Sequence, residues 1–157
     1  MKLGVSGHQE RDGIDWRWTA DALGSLIRRL HDVSAGYSSL AIGTDQLFAE
    51  VIINSGIEHV AVVPFSSYRD KFSIGLDRDR YDRLISSSTV LNLDLSFEES
   101  EAFLRAGKWI VDEVDHLVAV WDGEPAEGAG GTADVVRYAI QRRVPLSIID
   151  PISLTTS

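Results

Sequence analysis

The chain has 157 residues, of which 44% are hydrophobic and 25% charged, a composition typical of an ordinary soluble globular domain. Its 24 acidic and 15 basic residues give a formal net charge of −9, whereas proteins that neutralise DNA or RNA phosphates present a basic face. We therefore expect no nucleic acid partner. The absence of cysteine excludes disulfides, thiolate metal sites and a cysteine nucleophile.

The first ten residues, MKLGVSGHQE, run directly into a strand-like segment and lack the basic and apolar regions of a secretory leader. No apolar run approaches the ~20 residues that are needed to cross a bilayer. These two observations predict a cytoplasmic protein without a membrane partner.

Apolar segments and helical patterns alternate along the chain. Strands are predicted at residues 2–7, 39–42, 59–63, 89–93, 116–121 and 144–149. Helices are predicted at residues 15–31, 44–54, 79–87, 98–113 and 132–141. The strands are nearly continuous apolar runs rich in β-branched residues, which is typical of parallel strands buried on both faces.

This alternation predicts an α/β, Rossmann-like three-layer fold, in which helices cover both faces of a mainly parallel sheet. Residues 1–150 are expected to form a single Rossmann-like nucleotide-binding domain, and residues 151–157 a C-terminal tail. Ligands of such sheets bind outside the carboxyl ends of the strands.

Polar loops that contain glycine follow the first two strands. The loop after the first strand supplies Ser6, Gly7 and His8, and the loop after the second supplies the run Gly43, Thr44, Asp45. Both loops are predicted to lie at one edge of the sheet, so we expect them to share a ligand site.

A third polar loop precedes the helix at residues 132–141. Gly130 and Gly131 let the backbone approach an anion closely, and Thr132 can cap the helix. The helix N-terminus adds unpaired N–H groups and a partial positive charge, so a phosphate is the predicted guest. A simple capped connection is the alternative.

Three further side chains are expected at the same edge. Phe65 and Tyr68 follow the third strand, where they can stack on a base, although Phe65 can equally pack beneath its loop. Asp122 follows the fifth strand. The histidines show no metal-ligand spacing, so neither a metal nor a cofactor is predicted.

Several motifs together resemble the SLOG superfamily, which includes the LOG phosphoribohydrolases, DprA-like proteins and molybdenum-cofactor carrier-like proteins. They are residues 4–8 (GVSGH), 43–45 (GTD) with Ala49 and Glu50, 106–115 (AGKWIVDEVD) and 130–134 (GGTAD). The resemblance covers residues 2–149. It implies a Rossmann-like fold, a nucleotide-derived ligand and a homo-oligomer, either a dimer or a tetramer.

Two functions are compatible with these residues. The first is binding or sensing of a nucleotide or nucleoside phosphate. The second is hydrolysis of the N-glycosidic bond of a nucleoside 5′-monophosphate, which releases the base and ribose 5-phosphate and requires a carboxylate near the anomeric carbon. The candidate carboxylates are Asp45, Asp134 and Glu10, and the candidate acid is His8.

The resemblance to LOG enzymes is incomplete at the catalytic positions. Those enzymes carry a glutamate three residues after the threonine of the glycine loop, where this chain has Val135. They also carry an arginine on the preceding helix, and here Arg105 and Lys108 lie near that position but out of register. The resemblance therefore supports a phosphate site and leaves the hydrolase as the alternative.

Overall fold

The computed structural model describes residues 1–125 and 131–157. Within these residues, seven strands form one sheet in the order β4-β3-β2-β1-β5-β6-β7. The strands are β1 (Lys2–Gly7), β2 (Ala35–Ser38), β3 (Glu58–Val63), β4 (Thr89–Asn92), β5 (His116–Val120), β6 (Leu146–Asp150) and β7 (Thr155–Thr156). All neighbours pair in parallel except β7, which runs antiparallel to β6.

The α-helices of the described ranges are α1 (Trp16–Arg29), α2 (Thr44–Asn54), α3 (Leu76–Ser86), α4 (Glu99–Glu113) and α5 (Thr132–Gln141). A short 3-10 helix occupies Tyr68–Lys71. The carboxylate of Asp15 accepts a hydrogen bond from the Trp18 N–H (2.9 Å), and this cap fixes the start of α1.

Helices cover both faces of the sheet, which confirms the predicted α/β three-layer fold. Val118 of β5 packs in a core cluster with Leu23 of α1 and Phe48 of α2. Its neighbour Leu117 packs in a separate cluster with Val111 of α4 and other residues of α4 and α5. Because successive side chains of a strand point to opposite faces, these two clusters lie on opposite sides of the sheet.

The second strand differs from the sequence prediction, which was wrong by four residues. The strand ends at Ser38 instead of beginning at Ser39. Gly36 lies within this strand at a point where α2 packs closely: a Cβ at Gly36 would lie 2.7 Å from Cγ1 of Ile52. Residues 39–41 form a loop, with Leu40 in the left-handed region at φ 57°.

The segment 151–157 contributes to the sheet. Thr156 pairs with Ile149, and Ser157 and Ile148 exchange two backbone hydrogen bonds of 2.8 and 2.7 Å. The residues expected to form a tail thus provide the edge strand β7.

The topology places a crevice at the centre of the sheet. The chain adds β2, β3 and β4 to one side of β1 and then crosses to form β5 on the other side. The loops that follow β1 and β5 therefore diverge at the carboxyl edge, and such a switch point is where open parallel sheets bind ligands.

Candidate functional site

A cavity of about 560 Å³ opens at this switch point. Its volume falls within the range of about 300–1,000 Å³ that small-molecule sites occupy. The described residues that line it come from the loops after β1, β2, β3 and β5 and from α4 and α5. They are Val5, Ser6, Gly7, His8, Gln9, Glu10, Arg11, Ser39, Ala41, Asp45, Tyr68, Phe103, Gly107, Ile110, Trp121, Glu124, Pro125, Gly131, Thr132, Ala133 and Val135.

Gly7 and Thr44 join the loop after β1 to the start of α2. The hydroxyl of Thr44 donates to the carbonyl oxygen of His8 (2.8 Å), and the Thr44 N–H donates to the same oxygen (3.1 Å). A Cβ at Gly7 would lie 2.5 Å from the Thr44 side chain, so only glycine fits. Thr44 therefore positions the loop, and its hydroxyl is already engaged.

Gly43, like Thr44, supports the loop after β1. Its φ of +92° lies in a region that side chains rarely adopt, and a Cβ would meet the carbonyl oxygen of His8 at 2.9 Å. Neither Gly43 nor Thr44 is among the described lining residues. Both act on the cavity through the backbone of His8 and Gln9.

His8, Arg11 and Asp122 form an ion cluster at one end of the cavity. Asp122 Oδ2 lies 2.6 Å from Arg11 Nη1, and Asp122 Oδ1 lies 3.1 Å from His8 Nε2. Arg11 Nη1 also lies 3.4 Å from His8 Nε2. The carboxylate of Asp122 thus holds both side chains, which line the cavity, while Asp122 itself stands behind them.

Asp122 is held in its charged form. Burial would raise the pKa of its carboxyl, but the Glu124 N–H, His8 and Arg11 more than offset this effect and lower the pKa. In the part of the chain that the structure describes, Arg11 pairs through Nη1 only. Its Nε and Nη2 groups remain to donate to a ligand.

Asp45 also lines the cavity, and the loop after β2 surrounds its carboxyl group. Its Oδ2 accepts hydrogen bonds from the N–H groups of Ser39 (3.0 Å) and Ala41 (3.4 Å). Burial raises the pKa of Asp45 to about 7, against the opposing effect of these two bonds. This carboxyl group therefore exchanges a proton near neutral pH, as a general acid or base requires.

The two aromatic residues after β3, Phe65 and Tyr68, are packed against other aromatic rings. Phe65 packs against Tyr68 and Phe103, with ring centroids 5.6 and 5.9 Å away, and is not among the described lining residues. Tyr68 lines the cavity but is only 3% exposed. Its ring is therefore enclosed, and little of it is open for stacking on a base.

At the start of α5, Gly131 and Thr132 line the cavity as the phosphate prediction requires. Gly130 lies outside the described residues. Asp134 faces Arg137 on its own helix, with 3.0 Å between Oδ1 and Nη1, and is not part of the described lining. Glu10 lines the cavity as an exposed side chain.

The sequence reasoning missed Arg11, Ser39 and Trp121, which all line the cavity. Arg11 lies three residues beyond His8, so the polar run after β1 could have suggested it. Ser39 was missed because residues 39–42 were predicted as a strand and not as a loop. The Trp121 indole N–H donates to the carbonyl oxygen of Glu124 (2.8 Å), a contact without a sequence signal.

The sheet order, with a cavity at its switch point, is that of a Rossmann-like fold. Solved structures with the same fold include DNA processing protein A (DprA) from Streptococcus pneumoniae, with a TM-score of 0.66 and 16% identity. DNA processing protein A from Helicobacter pylori has a TM-score of 0.64 and 14% identity. The Moco carrier protein from Chlamydomonas reinhardtii has a TM-score of 0.55 and 18% identity.

These likenesses confirm the Rossmann-like fold that the resemblance in the sequence implied. The matches cover 92%, 93% and 92% of this chain, respectively. They cover 48%, 63% and 73% of the other chains, so this chain spans about half the length of the first protein. No family model matches the sequence. No curated protein matches it either.

The sequence-based exclusion of a nucleic acid partner was wrong. The Helicobacter pylori protein, which has this fold, binds single-stranded DNA. Net charge describes a whole surface, whereas a nucleic acid contacts one groove, where a few basic side chains and backbone N–H groups suffice. The charge of −9 therefore does not remove nucleic acids from the candidate partners.

In the described ranges, no helix is long and apolar enough to cross a membrane.

Proposed function

We propose that the cavity binds a nucleoside monophosphate or a closely related nucleotide-derived ligand. The observation that carries this proposal is the guanidinium group of Arg11, which Asp122 holds in a cavity of about 560 Å³ beside the start of α5. An arginine with unused N–H groups is a strong partner for a phosphate, because each charge-assisted hydrogen bond is stronger than a neutral one.

The phosphate is expected between Arg11 and the first residues of α5. Gly131 and Thr132 lie there, and the helix N-terminus adds partial positive charge. Glu10 and Glu124 also line the cavity, but both are exposed and can turn toward solvent. An anion bound here would therefore be held by Arg11 and the N–H groups at the start of α5.

An apolar wall offers a place for the base. Phe103 and Ile110 of α4 and Val135 of α5 line the cavity on one side. Gly107 lies between them, and a Cβ there would meet Cγ2 of Val135 at 2.8 Å, so α4 and α5 approach closely. Such mixed apolar and polar lining is typical of small-molecule sites.

The test is a calorimetric titration of the purified protein with AMP, GMP, CMP and UMP, and with a single-stranded oligonucleotide. We expect at least one mononucleotide to bind, and Arg11→Gln to weaken its affinity by about 10- to 100-fold, as loss of a hydrogen bond to a charged group would. Arg142→Gln is the matched control, because Arg142 pairs with Asp112 and is not among the described lining residues. Equal affinities of the two variants would contradict the proposal.

Hydrolysis of the N-glycosidic bond is a second candidate, which the proton exchange of Asp45 near neutral pH favours. Of the three carboxylates considered, Asp45 combines a place in the cavity with burial. Chromatography of the same nucleotides after incubation with the wild-type protein tests this candidate. Release of free base with ribose 5-phosphate would support it, and recovery of intact nucleotides would contradict it.

A further inference from the structure

The hydroxyl group of Tyr68 is a polar group that the fold leaves for a ligand. Tyr68 lines the cavity with only 3% of its surface exposed, and no residue of the described ranges hydrogen-bonds to its hydroxyl. In these ranges, every side-chain nitrogen or oxygen that is shielded from solvent has a hydrogen-bond partner. An atom without a partner, such as the Tyr68 hydroxyl, is therefore in contact with solvent. The Tyr68 hydroxyl therefore meets the open space of the cavity.

The ring of Tyr68 is fixed by its neighbours, so the hydroxyl has a fixed place. Four aromatic rings surround it, with centroid distances of 5.6 Å to Phe65, 5.2 Å to Phe72, 5.8 Å to Tyr81 and 5.9 Å to Phe103. All four meet Tyr68 edge to face, a favourable arrangement for aromatic pairs. A donor held in this way loses little conformational entropy when it binds a ligand.

Asp45 provides the complementary acceptor. Its Oδ2 is taken by the N–H groups of Ser39 and Ala41, and Oδ1 receives no hydrogen bond from the described residues. Both side chains line the same cavity, and the charge of Asp45 adds to the effect of burial in raising the pKa of Tyr68. The cavity thus offers a hydroxyl donor and a carboxylate acceptor.

We propose that Tyr68 and Asp45 together bind the ribose hydroxyl groups of the ligand, so that the site selects nucleotides with an intact sugar diol. Tyr68 donates to one sugar oxygen, and a sugar hydroxyl donates to Oδ1 of Asp45. This inference rests on the proposed nucleotide binding and adds the selection of the sugar.

The arrangement of the strands agrees with this assignment. Asp45 follows β2 and Asp122 follows β5, and these strands flank β1. Arg11 is held from the β5 side through Asp122, and Asp45 from the β2 side by the N–H groups of Ser39 and Ala41. This arrangement suits a nucleotide that holds its phosphate at Arg11 and its sugar at Asp45, because a carboxylate would repel a phosphate.

The experiment compares ribonucleoside 5′-monophosphates with their 2′,3′-dideoxy counterparts, for all four bases, by calorimetric titration. The proteins are wild type, Tyr68→Phe, Asp45→Asn and the control Tyr81→Phe. Tyr81 belongs to the same aromatic cluster but is not among the described lining residues, so its substitution removes an equivalent hydroxyl away from the ligand. Thermal denaturation of each variant checks that it is folded.

We expect wild type and Tyr81→Phe to prefer the ribonucleotide by about 10- to 100-fold, the effect of losing hydrogen bonds that involve a charged group. Tyr68→Phe and Asp45→Asn should lower this preference by weakening the ribonucleotide alone. Equal binding of both sugars by the wild type would overturn this inference and leave the proposed function standing, as would an unchanged preference in Tyr68→Phe. Failure of all eight nucleotides to bind would overturn both.

Discussion

The carboxylate of Asp122 lies 2.6 Å from Nη1 of Arg11, although the two residues belong to loops that follow different strands. Arg11 is 45% exposed in its side chain, whereas Asp122 is 9% exposed. An exposed arginine alone would move freely and gain little from one surface ion pair. Its link to a mostly buried carboxylate, which also holds His8, gives the cavity a positioned cation.

Substitution Asp122→Asn should weaken mononucleotide binding by about tenfold, because Arg11 and His8 would lose the charge that positions them. Calorimetric titration with the nucleotide that binds wild type measures this effect. Asp112→Asn is the matched control, since Asp112 also pairs with an arginine but is not part of the described lining. Wild-type affinity in Asp122→Asn would show that the ion pair does not organise the site.

Asp45 should make the fold less stable as the pH rises. Its pKa is about 7 in the folded protein, against 3.8 as the ordinary value. The folded state therefore binds more protons between these two values, so the contribution of Asp45 is most favourable below pH 3.8 and is lost as the pH rises through 7.

Urea unfolding of wild type and Asp45→Asn near the two ends of this window tests the prediction. The variant should gain stability relative to wild type at the higher pH, because the amide cannot ionise. A difference in stability that stays constant across the window would contradict the raised pKa.

His59 should contribute to loss of stability in acid. Its ring is buried between the hydroxyls of Ser38 (2.9 Å from Nε2) and Ser88 (2.6 Å from Nδ1). Ser88 donates its own proton to the carbonyl oxygen of Leu84, so Nδ1 must donate to Ser88, and Nε2 accepts from Ser38 in the neutral ring. Burial lowers the pKa of His59 from 6.5 to about 4.

As the pH falls, His59 is therefore protonated in the unfolded state before it is protonated in the folded state. Stability should decline between pH 6.5 and 4 by an amount on the order of 3 kcal/mol from this group. Denaturant unfolding of wild type and His59→Gln across this range measures the slope. An equally steep acid decline in the variant would show that other groups cause it.

Gly43→Ala should destabilise the protein by more than about 1 kcal/mol, because alanine is strained at its positive φ and its Cβ would press on the carbonyl oxygen of His8. Gly24→Ala within α1 is the comparison, since a Cβ there meets only the movable end of Arg28 at 3.3 Å. That change should leave stability unchanged or raise it by up to about 1 kcal/mol. Thermal unfolding of both variants tests the contrast, and equal effects would contradict it.

Local patterns were sufficient for most of the fold. The apolar run that ends at Val63 placed β3 to within one residue, and Thr132–Gln141 was predicted with the bounds that α5 has. Both segments have strong periodicity and clear breakers, which depend on neighbouring residues only. β2 was predicted at residues 39–42, a short run that ends at Gly43, whereas the strand lies at Ala35–Ser38, where Gly36 allows the close packing of Ile52.

The candidate site could likewise be predicted from the sequence only in part. The sequence by itself determined that polar loops with glycines follow successive parallel strands, and hence that Ser6, Gly7, His8, Asp45 and Thr132 gather at one edge of the sheet. The parallel arrangement makes this inference possible, since all carboxyl ends of such strands lie on the same side.

Only the tertiary structure decided which side chain faces the cavity and which supports another. It joined Arg11 to Asp122, engaged Thr44 with the backbone of His8, and enclosed the ring of Tyr68 so that its hydroxyl meets the cavity. These relationships depend on contacts between residues far apart in the chain, which local propensity does not encode. Directional hydrogen bonds and close packing fix them after the strands have brought the loops together.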